Sequence, residues 1–152
     1  MKKIAFTLPD GRTAIVHPAP EARMPDESED IFISRIMAAD LPAEAIDPHI
    51  IDDAQMPADR TFRDAWKHTA GTIAVDMPKA REIQRSRMRE ARTPKLAALD
   101  VEYQRADEAG DSDRKKAVAA RKQALRDVTK LPAIDAAQTP DALKSVWPDD
   151  LS

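Results

Sequence analysis

Short apolar runs separated by prolines dominate the first third of the chain. The β-leaning runs at residues 3–8 and 12–17 flank Pro9-Asp10-Gly11, a turn signal that predicts a β-hairpin. Ser28 or Asp26 would cap a short helix, whose apolar side chains Ile31, Ile36 and Met37 would cover this hairpin. The apolar run at residues 49–52 predicts a third strand. The segment therefore has the pattern of a small α+β module.

Helical spacing replaces this pattern in the rest of the chain. A long helix is predicted from Met77, with Pro78 in its first turn, to about Ala109. Pro94 is expected to kink or split this helix, because proline lacks the N–H that a helix interior needs. The apolar seam of the helix repeats at intervals of three and four residues and consists of Leu96, Leu99, Tyr103, Ala106 and Gly110. A seam of this kind also predicts a homo-oligomer.

A second helix would complete an antiparallel helical hairpin. Gly110 ends the first helix, and Asp111 or Ser112 caps the second, which runs to about Asp127. Thr139 is predicted to cap a last short helix. The predicted inner face of the second helix combines small and branched side chains: Ala117, Val118, Ala120 or Arg121, Ala124, Leu125 and Val128.

Charge separates the two patterns. Residues 1–59 carry five basic and twelve acidic side chains, a net charge of −7, and residues 60–152 carry nineteen and fifteen, a net charge of +4, which together give the −3 of the whole chain. We place a domain boundary near this change, with a small acidic α+β module at residues 1–56 and a helical hairpin domain at residues 57–152. The expected fold class is α+β and mainly α: an N-terminal module containing a β-hairpin, then an antiparallel helical hairpin with a short C-terminal helix.

The composition predicts a thin core. Of the 152 residues, 34% are charged and only 4% are aromatic, and the apolar 42% is reached mainly by counting alanine, which buries little area. We therefore expect the protein to be completed by neighbours, as a homo-oligomer or as a subunit of a larger assembly. No apolar run approaches the roughly 18 residues that span a bilayer, so no membrane role is predicted.

The sequence shows no catalytic or metal-binding pattern. The chain has no cysteine, and its three glycines cannot build a phosphate-binding loop. His17, His49 and His68 have no partner at a ligand spacing, so surface or interdomain packing is the favoured interpretation of all three. We therefore predict that the protein is not an enzyme and uses no catalytic residue, no cofactor and no metal.

A basic stretch supports an alternative function. Residues 79–95 hold seven basic and two acidic side chains, and Arg85, Arg89 and Arg92 share one face of the helix, as phosphate binding would require. No aromatic side chains interleave with them, and the whole chain is acidic. A solvated or salt-bridged helix is therefore favoured over a nucleic-acid-binding module, which would use these arginines and Arg81.

Half of the six aromatic residues flank the helical pattern. Phe62 and Trp66 lie on one side of a short amphipathic piece at residues 61–67, and Trp147 lies beyond the last predicted helix. Burial in the core is the favoured interpretation, and a binding anchor is the alternative, because tryptophan is enriched at interface hot spots. The candidate partner-binding residues are Phe62, Trp66, Leu99, Tyr103 and Trp147.

Several short motifs, in a fixed order, carry a resemblance to known proteins. They are PADRTFRDAW at residues 57–66, MPKAR at 77–81, KLAALD at 95–100, QALRD at 123–127 and VWP at 146–148. Together they resemble small proteins encoded beside the tail and tail-fibre genes of bacteriophages and prophages. The last two motifs also resemble those of the phage tail assembly chaperone family.

The resemblance implies a non-enzymatic protein that builds, or belongs to, a phage tail or fibre. Its partners would be tail or fibre proteins, and its location the tail of the virion or the host cytoplasm during assembly. Two roles stay open, a transient assembly chaperone and a structural component retained in the particle. The acidic module at residues 1–56 lies outside the shared motifs, so the resemblance implies no role for it.

Overall fold

The computed structural model describes residues 1–152 and divides them into two units, Met1–Asp76 and Met77–Ser152. The first unit contains five strands and one α-helix, and the second is helical, which confirms the predicted α+β class with its N-terminal β-hairpin and C-terminal helical hairpin. The boundary lies later in the chain than the predicted 56/57, because residues 66–75 form a hairpin that shares a core with the first strands.

Three antiparallel strands form the main sheet of the first unit. Strands β1 (Lys3–Thr7) and β2 (Thr13–Val16) make the predicted hairpin, and Gly11 adopts a φ of 80° in its turn. Strand β3 (Ile46–Ile51) pairs with the other edge of β1, so the strand order is β2-β1-β3. The predicted third strand is therefore confirmed, although it begins earlier than the apolar run at 49–52.

Helix α1 (Glu29–Ala39) packs on this sheet. Of the two predicted caps, Ser28 begins the helix, because its hydroxyl oxygen accepts a hydrogen bond of 3.3 Å from the Ile31 amide. The helix and the sheet share an apolar cluster formed by Ile4, Phe32, Ile33 and Ile36, with Met37 packed against it. The expectation that Ile31 also covers the sheet is wrong, because this side chain lies on the outer face of the helix and is 62% exposed.

A second hairpin completes the first unit. A short helical turn covers only residues 63–65 of the predicted amphipathic piece, and strand β4 (Trp66–Thr69) follows at once and pairs with β5 (Thr72–Val75). The Thr13 hydroxyl holds β4 against β2 by donating to the Trp66 carbonyl at 3.0 Å. The same oxygen accepts from the His68 amide at 2.9 Å. The hairpin and the main sheet bury a common cluster of Ala5, Ile51, Trp66 and Ile73.

Two antiparallel helices, α2 (Met77–Glu108) and α3 (Ser112–Asp127), form the hairpin of the second unit. Pro94 lies inside α2 without splitting it. Pro94 is exposed, and so is Glu90, the residue whose carbonyl group is left without its usual N–H partner. The Asp111 carboxylate caps α3 by accepting from the Arg114 amide at 2.9 Å, as the sequence predicted.

The inner face of α3 differs from its prediction. Val118 and Leu125 are buried as expected, and so is Val128 just beyond the helix, but the alanines predicted beside them, Ala117, Ala120 and Ala124, are exposed. The long stem of Lys122 lies on the inner face instead, with its ammonium group 5.2 Å from the ring centroid of Tyr103. A lysine can cover apolar surface with its methylene groups while its charge reaches an acidic partner, here Asp100.

Two short helices follow, α4 (Pro132–Ala136), which the sequence did not predict, and α5 (Pro140–Ser145), which it did. The Thr139 hydroxyl caps α5 by accepting from the Ala142 amide at 3.2 Å. Ile134 and Leu143 are fully buried and fix the two helices in the unit. None of the helices in the chain is both long enough and apolar enough to cross a bilayer.

Candidate functional site

Two of the five candidate partner-binding residues lie in the core of the first unit. Phe62 is 3% exposed and Trp66 is 4% exposed. Trp66 packs in the cluster that joins the two sheets, with its indole N–H buried and without a hydrogen-bond partner. Both positions match burial, the interpretation that the sequence favoured, and neither side chain is accessible to a partner on the surface of this unit.

Tyr103 is half-buried on α2, where cations of its own chain cover it. The ammonium groups of Lys115 and Lys122 lie 5.6 and 5.2 Å from its ring centroid. Such contacts stabilise the packing of α3 on α2. A shallow cavity of about 230 Å³ borders the ring together with Ser112 and Ala119.

The remaining two candidates, Leu99 and Trp147, line two adjoining cavities. The first, of about 280 Å³ between α2 and α3, and the second, of about 430 Å³, share Ala124 and Asp150 as lining residues. We call these two adjoining cavities together the hairpin groove. Its apolar lining consists of Ala98, Leu99, Ala124, Leu125, Val128, Leu131, Val146, Trp147 and Pro148.

The segment after α5 forms one wall of the hairpin groove and is held by α2. Gln84 is fully buried, and its side-chain amide donates to the Val146 carbonyl at 2.9 Å. Its amide oxygen accepts from Arg87 at 3.0 Å, and the Arg87 guanidinium lies 5.4 Å from the centroid of the Trp147 ring. Trp147 is therefore a positioned, half-buried side chain with part of its ring available to a partner.

Charges of both signs surround the hairpin groove. Lys95 and Arg121 supply positive charge, and Glu102, Asp127 and Asp150 supply negative charge. Arg121 and Glu102 form an ion pair of 3.4 Å. An apolar lining with a mixed polar rim is typical of a protein-binding surface, whereas a phosphate-binding surface would carry an excess of positive charge.

Three arginines of the basic stretch bind groups of their own unit. Arg81 donates to the Ala137 carbonyl at 2.8 Å, and Arg92 donates to the Arg126 carbonyl at 2.8 Å. Arg85 binds Asp135 at 2.6 Å, and this hydrogen bond raises the pKa of the guanidinium further above its usual range. These side chains connect α2 to the segments packed on it, as expected for the salt-bridged helix that the sequence favoured.

The structure also brings together residues that the spacing of the sequence kept apart. Asp47 and His49 lie on β3, and His68 lies on β4, and one potential ligand atom from each lies within 4.8 Å of the other two. The two imidazole rings have a centroid separation of 5.3 Å. The only sequence signal was the pair Asp47 and His49 two residues apart on a strand, which is too common a pattern to indicate a site.

His68 is the buried member of this cluster, which we call the Asp-His-His cluster. It is 5% exposed, and burial followed by the proximity of His49 lowers its pKa below the usual 6.5. Its Nε2 atom accepts a 3.1 Å hydrogen bond from the Gly71 amide, and its Nδ1 atom is buried without a partner. Because Nε2 accepts this hydrogen bond, it carries a lone pair and no proton, as a metal-binding imidazole nitrogen must.

The chain thus offers two candidate sites, the hairpin groove in the second unit and the Asp-His-His cluster in the first. Comparison with known proteins finds no matching family model, no similar curated protein and no similar solved structure, so the function is argued from these two sites and from the motifs of the sequence.

Proposed function

We propose that the protein is a non-enzymatic component or assembly factor of a phage tail or tail fibre, and that it binds a tail or fibre protein through the hairpin groove. One observation carries the proposal. The motifs at residues 95–100, 123–127 and 146–148, which resemble phage tail-associated proteins, are far apart in the sequence and all contribute side chains to this groove.

The lining of the groove indicates the chemistry of its partner. Leu99 and Leu125 lie at its base with only 5% exposure each, Ala124 is a small residue that leaves space above them, and Trp147 stands at one side. This arrangement fits an apolar side chain, or one face of a helix, from another protein. The ion pairs at the rim would align such a segment without dominating its affinity.

The groove itself can be tested by adding bulk to it. Ala124→Arg places a long charged side chain at the point where the two cavities meet. Ala117→Arg makes the same change on the same helix outside the groove, and both alanines are exposed. We expect Ala124→Arg to weaken copurification with a coexpressed phage tail or fibre protein by at least about tenfold, and Ala117→Arg to leave it unchanged.

Equal binding by both variants would contradict a role for the groove. Circular dichroism of each variant checks that the helical unit stays folded, so that lost binding is not mistaken for lost structure.

Mass spectrometry of purified phage particles separates the two open roles. A structural component would be present at a fixed stoichiometry, whereas an assembly chaperone would be missing from the particle and found with the partner during assembly. A fixed stoichiometry would exclude the transient role.

A nucleic-acid-binding function is the competing proposal. Arg81, Arg85 and Arg92 already bind carbonyl and carboxylate groups, so phosphate contacts would have to replace these hydrogen bonds. We therefore expect no retardation of DNA or RNA in a gel-shift assay at low salt, where phosphate contacts are strongest. Retardation that disappears in an Arg89→Ala, Arg92→Ala double variant would favour this alternative.

A further inference from the structure

The Asp-His-His cluster has the donor set of a transition-metal site. Two imidazoles and one carboxylate are ligands that zinc and its neighbours accept, whereas magnesium and calcium prefer oxygen atoms alone. Ligand atoms about 2 Å from a tetrahedral metal lie roughly 3.4 Å apart. One possible ligand atom from each residue already lies within 4.8 Å of the other two, and Nδ1 of His49 lies 3.5 Å from Oδ1 of Asp47. The side chains of Asp47 and His49 are 52% and 38% exposed, so rotation about their side-chain bonds can bring three ligand atoms to the spacing of a bound metal.

Hydrogen bonds already select the metal-binding tautomer of both rings. Nδ1 of His49 lies 3.0 Å from the Asp47 carbonyl, which can only accept, so the proton is on Nδ1 and Nε2 keeps its lone pair. In His68, Nε2 accepts from the Gly71 amide, so this nitrogen is also unprotonated. His49 thus donates its second N–H to a backbone carbonyl, which is the usual arrangement around protein-bound metals.

The backbone holds the three ligands in place. Ala70 and Gly71 form the tight turn between β4 and β5 with φ angles of 47° and 78°, as two-residue hairpin turns require. The Ala70 amide donates to Oδ2 of Asp47 at 3.4 Å, so the turn lies against β3. Asp47 itself has a φ of 53°, a left-handed conformation that aspartate tolerates better than most residues.

We propose that Asp47, His49 and His68 bind one divalent transition-metal ion of the zinc class, with water completing its coordination on the exposed side. The ion would join β3 to β4, which belong to different sheets, and so would fix the second hairpin on the main sheet of the first unit. The site is separate from the hairpin groove, so the proposal stands or falls independently of the proposed function.

Isothermal titration of the full chain tests the proposal directly. The protein, prepared without a histidine tag and stripped with a chelator, is titrated with zinc chloride and, in parallel, with magnesium chloride. We expect saturable binding of one zinc ion per chain and no binding of magnesium. Absence of saturable zinc binding would overturn the proposal.

Variants show whether the bound zinc is at this site. His68 is buried and accepts from the Gly71 amide, so the test uses the more exposed ligands, as Asp47→Asn and His49→Ala. Each should weaken zinc binding by more than about tenfold, because even loss of a group that only orients a metal ligand costs about 10- to 100-fold in affinity. His17→Ala removes an exposed histidine outside the cluster and should bind zinc like the unchanged chain.

Nuclear magnetic resonance gives a second readout that does not depend on affinity. Coordination through Nε2 of His68 takes the acceptor of the Gly71 amide, so the Gly71 amide resonance should be among the most strongly shifted by zinc. Zinc binding that leaves this resonance in place, or that survives in both Asp47→Asn and His49→Ala, would overturn the proposal.

Discussion

Glu27 shows how a single carboxylate is used in the first unit. Its two oxygens each accept a 2.9 Å hydrogen bond from the Arg35 guanidinium on α1, and one of them also accepts from the Met24 amide. The Arg35 hydrogen bond and then that of the Met24 amide lower the pKa of Glu27 from 4.5 to about 2. The carboxylate therefore ties the loop before α1 to the helix only while it is ionised.

This contact predicts a pH dependence. A carboxylate whose pKa is lower in the folded state stabilises the fold above its unfolded pKa, and that stability is lost as the pH falls from about 4.5 through about 2. Glu27→Gln should lower the free energy of unfolding near neutral pH and flatten its decline in this acid range. Denaturant unfolding of a Trp147→Phe background, in which Trp66 reports on the first unit, measures both effects.

Glu44→Gln, at an exposed position of the same unit, is the matched control and should keep the acid-range decline of the unchanged chain. If Glu27→Gln and Glu44→Gln lose stability in parallel as the pH falls, the assignment to the Glu27 carboxylate is incorrect.

At the scale of the element, the link between α2 and α3 depends on one glycine. Gly110 has a φ of 68°. Its amide donates to the Asp107 carbonyl at 3.0 Å, and the amide of the next residue, Asp111, donates to the Ala106 carbonyl at 2.9 Å. These two bonds are the Schellman pattern that ends a helix. A Cβ atom at this position would have no neighbour within 4 Å, so the need for glycine is one of backbone conformation alone.

We therefore expect Gly110→Ala to destabilise the second unit by about 1 kcal/mol, the order of the penalty for a left-handed alanine. Gly110→Asn should cost less, because asparagine tolerates this conformation. Chemical denaturation followed by far-ultraviolet circular dichroism gives both values. Equal losses for the two variants would show that the side chain meets an obstruction and that backbone strain is not the cause.

At the scale of the whole molecule, each unit buries its own apolar cluster. Leu99 is 5% exposed in the helical unit, and the clusters around Phe32 and Trp66 belong to the first unit. Because neither cluster of the first unit includes a side chain from beyond residue 76, we expect the first unit to fold when the second does not.

Leu99→Asp tests this independence. A buried carboxylate without a partner should unfold the helical hairpin, whereas Leu99→Met keeps the volume and should cost less than about 1.5 kcal/mol. Made in the Trp147→Phe background, so that Trp66 is the remaining tryptophan, Leu99→Asp should lose helix by circular dichroism while the emission of Trp66 stays that of a buried indole. Exposure of Trp66 in Leu99→Asp would show instead that the two units fold together.

Local sequence determined most of the elements. The turn at Gly11, the caps at Ser28, Asp111 and Thr139, and the stop at Gly110 are short-range signals, because each depends on a hydrogen bond or a dihedral angle within a few residues. The charge difference between the two parts of the chain and the small number of aromatic residues likewise follow from the amino-acid sequence alone.

Only the tertiary structure decided which of these elements share a core and which side chains meet. The boundary moved to Asp76 because a hydroxyl on β2 and the cluster around Trp66 hold the second hairpin to the first sheet, contacts between residues more than fifty positions apart. The alanines of α3 are exposed because Lys122 lies on the inner face of the helix, where it contacts the Tyr103 ring and pairs with Asp100. Helical periodicity alone does not predict which of these side chains faces α2.

Contacts between residues far apart in the sequence also produced the two candidate sites. The motifs of the hairpin groove were visible in the sequence, but their convergence depends on how the segment around Trp147 returns to α2. The Asp-His-His cluster could not be recognised from the spacing of its residues along the sequence, because His49 and His68 come from strands of different sheets. Sequence specifies short-range hydrogen bonds and periodicity, whereas long-range packing decides which chemical groups lie within reach of one another.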